Sequence, residues 1–226
     1  TQAGSKNCLR IAKWNGSQWD SLRGGLNSVP LAIKPYMWNG ERGLLVGGSF
    51  TEYNQGGIAV PCNGLAFWSE DSLKWKKYYN IETNLNGSVY DILNSNDGWL
   101  YFCGSFDSLG EIKANSIARF KMGKGMQSVG SGIFMQNSAV SITSIVEMDD
   151  IIYIAGSFSR FNGMLSNNFA AFNKITGQVY DVGYGVDMRV EALAVYQNDI
   201  IICGDNFNAN GKPRWIISRY RPSLNQ

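Results

Sequence analysis

The sequence predicts an all-β fold, a β-propeller assembled from four-stranded antiparallel units of about 50 residues. Three observations predict it. An apolar run closes on a glycine-turn-phenylalanine element four times, at Leu44–Phe50, Leu100–Phe106, Ile152–Phe158 and Ile200–Phe207, with the phenylalanines 56, 52 and 49 residues apart. A second motif, Ile-Ala-x-aromatic or its equivalent, recurs from Ile11, Leu65, Ile117, Phe169 and Ile217, stepping by 54, 52, 52 and 48. The apolar runs are short and are separated by Asn, Asp and Gly, the residues of hairpin turns.

Each unit reads in the same order. The first strand opens at Val29, Val89, Val140 or Val190 and turns through Asn39-Gly40, Asn96-Asp97-Gly98, Asp149-Asp150 or Asn198-Asp199. The second ends at Gly-Ser-Phe, where glycine suits a bulge or a close backbone approach. A loop of about ten residues follows, carrying Tyr53, Leu109 or Phe161 near its start. The third strand is the Ile-Ala-x-aromatic motif. The fourth is clearest at Trp14–Trp19, where Asn15-Gly16 turns the chain; Trp75, Met126 and Tyr180 hold the place of Trp19. Glycine-rich exits then appear at Gly24-Gly25, Gly130-Ser131-Gly132 and Gly183-Tyr184-Gly185.

The units therefore run approximately over 1–28 (a half unit), 29–86, 87–138, 139–187 and 188–226. A β-sandwich does not need a motif at fixed spacing, and a solenoid uses shorter periods without hairpins. The strand count is seventeen, one more than four closed units require. The chain thus reads as a segment of a longer repeat protein in preference to a complete four-bladed ring.

Composition narrows the function. The 226 residues carry 20 basic and 18 acidic side chains, a formal charge of +2, 26 glycines, 13% aromatics and no histidine. That charge leaves no basic reserve for a phosphate backbone, so nucleic acid is not an expected partner. Without histidine there is no Ser-His-Asp or Cys-His nucleophile and no His-ligated metal. No catalytic residues, metal site or cofactor are expected. The longest apolar runs, such as Ile151–Ala155 and Ile200–Cys203, fall far below the roughly 18 residues of a membrane span. Of the four cysteines, Cys103 and Cys203 precede the turn glycine and read as buried small hydrophobes. Cys8 and Cys62, matched before their third strands, are the one pair to test for a disulfide.

The repeat resembles the extracellular propeller repeats of bacterial surface proteins and of fungal cortical polarity markers of the Rax type, within the kelch-like superfamily. Leu45–Phe50, Ile11–Trp19, Ile117–Phe120 and Ser128–Gly132 carry the likeness, which covers essentially all of residues 11–220. Gly204-Asp205-Asn206-Phe207 departs by an insertion, the 51–64 loop is longer than its fellows, and Tyr78-Tyr79-Asn80 replaces a glycine-rich exit. The resemblance implies an extracellular or cell-surface binding or adhesion module and brings no catalytic residues with it.

Among candidate sites, the third-strand aromatics Trp14, Trp68, Phe120, Phe172 and Tyr220, with Trp19 and Trp75, are expected in the core between units. Trp38 and Trp99, beside hairpin turns, and Trp215, ahead of a strand, are the expected anchors for a protein partner or glycan. Asp97, Asp149, Asp150 and Asp199 read as turn residues. Asp91 and Glu191 lie near first strands, where paired carboxylates could serve a glycosidase. Asn15-Gly16-Ser17 and Asn86-Gly87-Ser88 match the N-glycosylation pattern. The leading expectation is a non-enzymatic scaffold for protein–protein interaction in a surface or structural assembly. A lectin-like propeller is the alternative, and a glycoside-active enzyme the remote one.

Overall fold

The computed structural model describes residues 2–78, 85–136, 138–183, 185–205, 207–209, 212–214 and 217–222. The chain is all-β, with three four-stranded antiparallel sheets in sequence. The first contains Pro30–Trp38, Glu41–Gly48, Leu65–Ser69 and Lys74–Lys77. The second contains Val89–Asn94, Leu100–Gly104, Ile117–Lys121 and Gly125–Ser128. The third contains Ser141–Met148, Ile151–Ser157, Phe169–Asn173 and Val179–Tyr180. A fourth has three strands, Val190–Tyr196, Asp199–Gly204 and Ile217–Tyr220. Ahead of them, Lys13–Trp14 and Trp19–Asp20 form a separate hairpin, the half unit. Among the described residues that hairpin shares no sheet with the fourth unit.

The sheets stack through side chains from both faces. One apolar cluster joins the N-terminal segment (Ile11, Leu22, Leu26) to Val46, Trp68 and Trp75 of the first sheet. A second joins Leu45, Leu65 and Phe67 to Ile92, Phe102 and Phe120. A third joins Tyr101, Cys103 and Ile117 to Ile145, Ile152 and Phe172. A fourth joins Tyr153, Ala155 and Phe169 to Leu193, Ile200 and Ile202. Strand alternation explains the division, since successive residues point to opposite faces and both faces are apolar. The first strands of successive sheets lie side by side.

Each first strand carries a bulge at its start, between Pro30 and Ala32, Val89 and Asp91, Ile142 and Ser144, and Val190 and Ala192. The residue after the bulge reaches the next unit. Asp91 Oδ2 accepts from the Ile145 N–H at 3.1 Å, and Ser144 Oγ accepts from the Leu193 N–H at 3.1 Å. The first sheet has Ala32 at this place, which can accept nothing. The equivalent amide, Ile92 N–H, instead donates to its own Asp91 Oδ1 at 2.8 Å.

The Gly-Ser-Phe element closes each unit by backbone bonds. Gly48, Gly104 and Gly156 each donate to the carbonyl of the residue before the third strand, Gly64, Ser116 and Asn168, all at 3.0 Å. Those residues donate back to the carbonyls of Phe50, Phe106 and Phe158. Each has positive φ, 77°, 66° and 56°. Glycine is required for a different reason, crowding. A Cβ at Gly48, Gly104, Gly156 or Gly204 would stand under 3.0 Å from the carbonyl oxygen of Val29, Ser88, Ser141 or Arg189. In the first two units that carbonyl also accepts the next N–H, of Ser49 and Ser105, at 3.0 Å. The phenylalanines of the three intact elements are buried.

The loops after Gly-Ser-Phe are hairpins: Glu52–Gln55 with Ile58–Pro61, Ser108–Leu109 with Ile112–Lys113, Arg160–Phe161 with Met164–Leu165, and Phe207–Ala209 with Lys212–Arg214. Two pair with the exit of the preceding unit, Gly24–Leu26 on Glu52–Gln55 and Ile133–Phe134 on Arg160–Phe161. In the third unit Val179, and not Tyr180, stands opposite Phe172.

Gly104→Ala is expected to cost about 1–3 kcal/mol, while Ser105→Ala beside it stays within about 0.5 kcal/mol; urea unfolding of the two variants checks the contrast. Asp199 accepts from Arg221 at 2.9 Å and pairs with Arg219 at 3.3 Å. The Arg221 hydrogen bond, ahead of the charge of Arg221 and Arg219, holds its carboxyl below the usual range. Its contribution is therefore complete above the ordinary carboxylate value of about 3.9 and is lost as pH falls through the lowered folded value. Thermal midpoints taken across the acid range should fall more steeply for the wild type than for Asp199→Asn.

Candidate functional site

The tips of the first-to-second and third-to-fourth strand hairpins form one rim of each unit, and two of the expected anchors sit there. Trp38 precedes a turn in which Asn39 and Gly40 both have positive φ, 51° and 80°. Its ring packs inward, 5.3 Å from Phe67 and 5.4 Å from Tyr78, against the cluster between the first and second sheets. Trp99 packs on the cluster between the second and third sheets. The Arg119 guanidinium lies 4.3 Å from its ring centre and the Lys121 ammonium 6.0 Å, cation–π contacts that orient the indole. Both tryptophans are half-buried and belong to different junctions, so the fold does not bring them into one site. Trp215 lies outside the described residues.

The junction beside Trp99 holds a buried polar cluster. Lys174 is buried, and its ammonium donates to Asn96 Oδ1 at 2.6 Å and the Asp149 carbonyl at 2.9 Å, and pairs with Glu147 and, at 3.4 Å, with Asp150. Burial alone would lower its pKa, but the hydrogen bonds and charges of Glu147 and Asp150 together outweigh that and hold the ammonium above its ordinary value. Glu147 also accepts from Ser95 Oγ at 3.1 Å and Asn96 N–H at 3.3 Å, so one buried ion pair ties two units. A cavity of about 190 Å³ opens nearby, lined by Arg119, Ser128, Asn162 and Lys174 among others.

The two carboxylates near first strands, Asp91 and Glu191, are both paired. Asp91 pairs with Lys34 at 3.2 Å besides accepting backbone amides from two units. Glu191 is exposed and pairs with Arg189 at 2.9 Å. Among the described residues, no three His, Cys, Asp or Glu side chains come together as a metal site. The Asn86 side chain donates to Asp107 at 3.1 Å and accepts its N–H at 2.9 Å, a clamp between units that a glycan would break. Asn15 Oδ1 caps its own turn, accepting from the Ser17 and Gln18 amides at 2.9 Å.

Two expectations are corrected. No disulfide joins Cys8 to Cys62, and both side chains are buried. Burial pushes the Cys62 thiol up to about 12. Trp14 and Trp19, expected in the core, are 52% and 37% exposed, because no sheet of the described chain lies against their face. The other third-strand aromatics Trp68, Phe120 and Phe172 are buried, as is Trp75, and Tyr220 is partly so.

Sequence reasoning missed a second apolar surface. In Pro30–Trp38, the residues Ala32, Tyr36 and Trp38 pack toward the second sheet, which leaves Ile33, Pro35 and Met37 on the opposite face. Ile33 is 47% exposed, whereas its equivalents Ile92, Ile145 and Leu193 are buried. The signal was present as alternation of two apolar sets in one strand.

Against known structures the chain is similar to the computationally designed Ika4 protein, with a TM-score of 0.51 at 12% identity over 87% of this chain and 93% of that one. The fold is propeller-like. The extracellular domain of BT4673 from B. thetaiotaomicron matches with a TM-score of 0.49 at 15% identity over 93% of this chain but 30% of that one. A gluconolactonase, XC5397 from Xanthomonas campestris, matches with a TM-score of 0.43 at 12% identity over 88% and 77%. No family model matches the sequence, and no curated protein does. Among the described residues no helix is long and apolar enough to cross a membrane.

Thiol accessibility follows from this packing. Cys203 is half-buried while Cys8, Cys62 and Cys103 are buried, so native-state labelling with a thiol reagent should modify Cys203 first and the other three at rates that rise only with denaturant.

Proposed function

We propose that the chain is a non-enzymatic propeller scaffold that binds a protein partner within a surface or structural assembly. The observation that carries this reading is the exposed apolar row Ile33, Pro35 and Met37 along one face of Pro30–Trp38, Met37 being 63% exposed, with Trp14 and Trp19 also exposed on the half unit. Contiguous apolar patches of this kind mark interaction sites on soluble proteins. Of the two carboxylates that a glycosidase reading would use, Asp91 is engaged in joining units through Lys34 and the Ile145 amide. A kelch-like or Rax-type ancestry and an extracellular or cell-surface location accord with the repeat motifs and are part of the same proposal. Placing a photo-crosslinking residue at Ile33 should trap a partner protein in native extract, and the adduct should be lost when Trp14 and Met37 are replaced by Glu. A chain that traps no protein there would overturn the reading.

The lectin-like reading rests on Trp99 with its flanking Arg119 and the adjoining cavity. It requires binding on a glycan array that Trp99→Ala abolishes.

A further inference from the structure

The residue before the third-strand aromatic holds one repeat place in every unit: Lys13, Phe67, Arg119, Ala171 and Arg219. Phe67 is buried in the cluster between the first and second sheets, and Ala171 in that between the third and fourth. The first and last cations of the series are each met by a carboxylate, Lys13 by Glu70 at 2.6 Å and Arg219 by Asp199 at 3.3 Å. Arg119, at the junction of the second and third units, forms no ion pair among the described residues. Its Nη2 donates to the neutral Gln127 Oε1 at 3.1 Å, its guanidinium lies over the Trp99 ring, and its Nε is buried without a hydrogen bond. A cation held away from water without a counter-charge costs free energy. Packing does not require it, since phenylalanine and alanine serve at the same place, and departures of this kind concentrate at functional sites.

The cavity of about 190 Å³ is lined by this arginine, and none of the described residues around it is acidic. Lys174 lines it too, but its ammonium is answered by Glu147 and Asp150, so the charge left for a ligand is that of Arg119. The rest of the lining is rich in hydrogen-bonding groups. Asn162 Oδ1 accepts from the Ser131 and Gly132 amides at 2.9 and 3.1 Å, which leaves its amide nitrogen to offer a ligand. Ser128 and Thr176 bring exposed hydroxyls, and buried Phe172 supplies apolar surface. The volume falls below the roughly 300–1,000 Å³ of drug-sized pockets, so it suits a molecule of about one sugar ring or smaller.

We infer that this cavity binds a small hydroxylated carboxylate, of the sugar-acid or hydroxy-acid class, whose carboxylate pairs with the Arg119 guanidinium. The planar fork of arginine matches a carboxylate with parallel N–H donors, and the hydroxyl and amide groups of Ser128, Thr176 and Asn162 meet the ligand's own hydroxyls. One uncompensated cation balances a monoanion. A phosphate ester, with a charge of roughly −1.5 to −2 at neutral pH, would stand in excess beside Glu147 and Asp150. The contact with Trp99 holds the guanidinium plane before the ligand arrives, which lowers the ordering cost of binding. The inference deepens the lectin-like reading and rests on its cavity, giving the ligand a charge; it does not depend on a protein partner at Ile33.

The test titrates the 226-residue chain with D-glucuronate, D-galacturonate and lactate by calorimetry, with D-glucose and inorganic phosphate for comparison. At least one acid should saturate at micromolar to millimolar concentration, with glucose and phosphate weaker by at least about tenfold. Arg119→Met, at a place where other units carry Phe67 and Ala171, should weaken that acid by about 10–100-fold. Arg119→Lys should recover part of the loss, since it keeps the charge without the fork. Ser128→Tyr, filling the cavity from an exposed strand position, should block binding with the guanidinium intact. Arg42→Gln, which removes an exposed arginine paired with Asp71 in the first unit, should bind like wild type. Circular dichroism and thermal melting confirm that all variants fold. The indole N–H resonance of Trp99 should move on saturation, which places the ligand at this junction. No saturation by any of the three acids overturns the inference, as does an affinity unchanged in Arg119→Met or phosphate bound as tightly as the best acid. Failure here, with neutral glycans captured on an array and lost in Trp99→Ala, removes the acid ligand and leaves the lectin-like reading standing.

Discussion

Each four-stranded sheet of the described chain is apolar on both faces, and that constraint governs the rest of the structure. A sheet of this kind cannot be stable with one face in water, so it must be sandwiched between two neighbours. The four apolar clusters are the result, each shared by successive units, with none belonging to a single sheet. Polar groups are then placed where they add direction to stacking that is otherwise non-directional. Asp91 and Ser144 fix the height of one first strand against the next, and Lys174 with Glu147 fixes the rim. Because a buried ion pair is costly unless fully satisfied, its value here lies in setting how two units meet.

Within a unit the corresponding constraint is the crossing of a carbonyl over a glycine. The entry to each first strand passes so close to the end of the second that any side chain there would collide. The positive-φ residue before the third strand completes the closure by donating to the phenylalanine carbonyl. This explains why glycine and phenylalanine recur at fixed spacing while the residue before the third strand varies among Arg10, Gly64, Ser116 and Asn168. At Gly64, Ser116 and Asn168 two backbone bonds hold the conformation, which asparagine or serine tolerates at modest cost.

Much of the architecture was legible in the sequence because the repeat samples the same physics several times. The order of strands, the turn at Asn39-Gly40, the glycine of Gly-Ser-Phe and the burial of Tyr53, Leu109 and Phe161 all follow from local chemistry. The small hairpins after Gly-Ser-Phe were read as loops because strands of two to four residues leave too little alternation; their turn glycines Gly56, Gly57, Gly110 and Gly163, all of positive φ, were the available signal. Trp14 and Trp19 were read as core because equivalence between repeats assumes a neighbour on each side. Trp38 and Trp99 stand out in the sequence as candidate anchors because they lie beside turns, and a long ring at such a place can fold back over the edge of a sheet. The candidate surfaces depend on which faces are left uncovered, and that is a property of the stack which no single segment encodes.

The exit strands carry a consequence for how such a chain can change. Gly24–Leu26 follows the half unit in sequence but is hydrogen-bonded to the Glu52–Gln55 hairpin of the next, and Ile133–Phe134 is shared in the same way with Arg160–Phe161. The segment that can be copied or exchanged without severing a ladder therefore does not begin at the first strand of a sheet. It begins at the exit glycines and ends with the fourth strand, from Gly24 to Lys77 in the first case. A gene duplication or a designed swap made at that boundary would move a self-consistent module, while one made a few residues later would leave two broken edges behind.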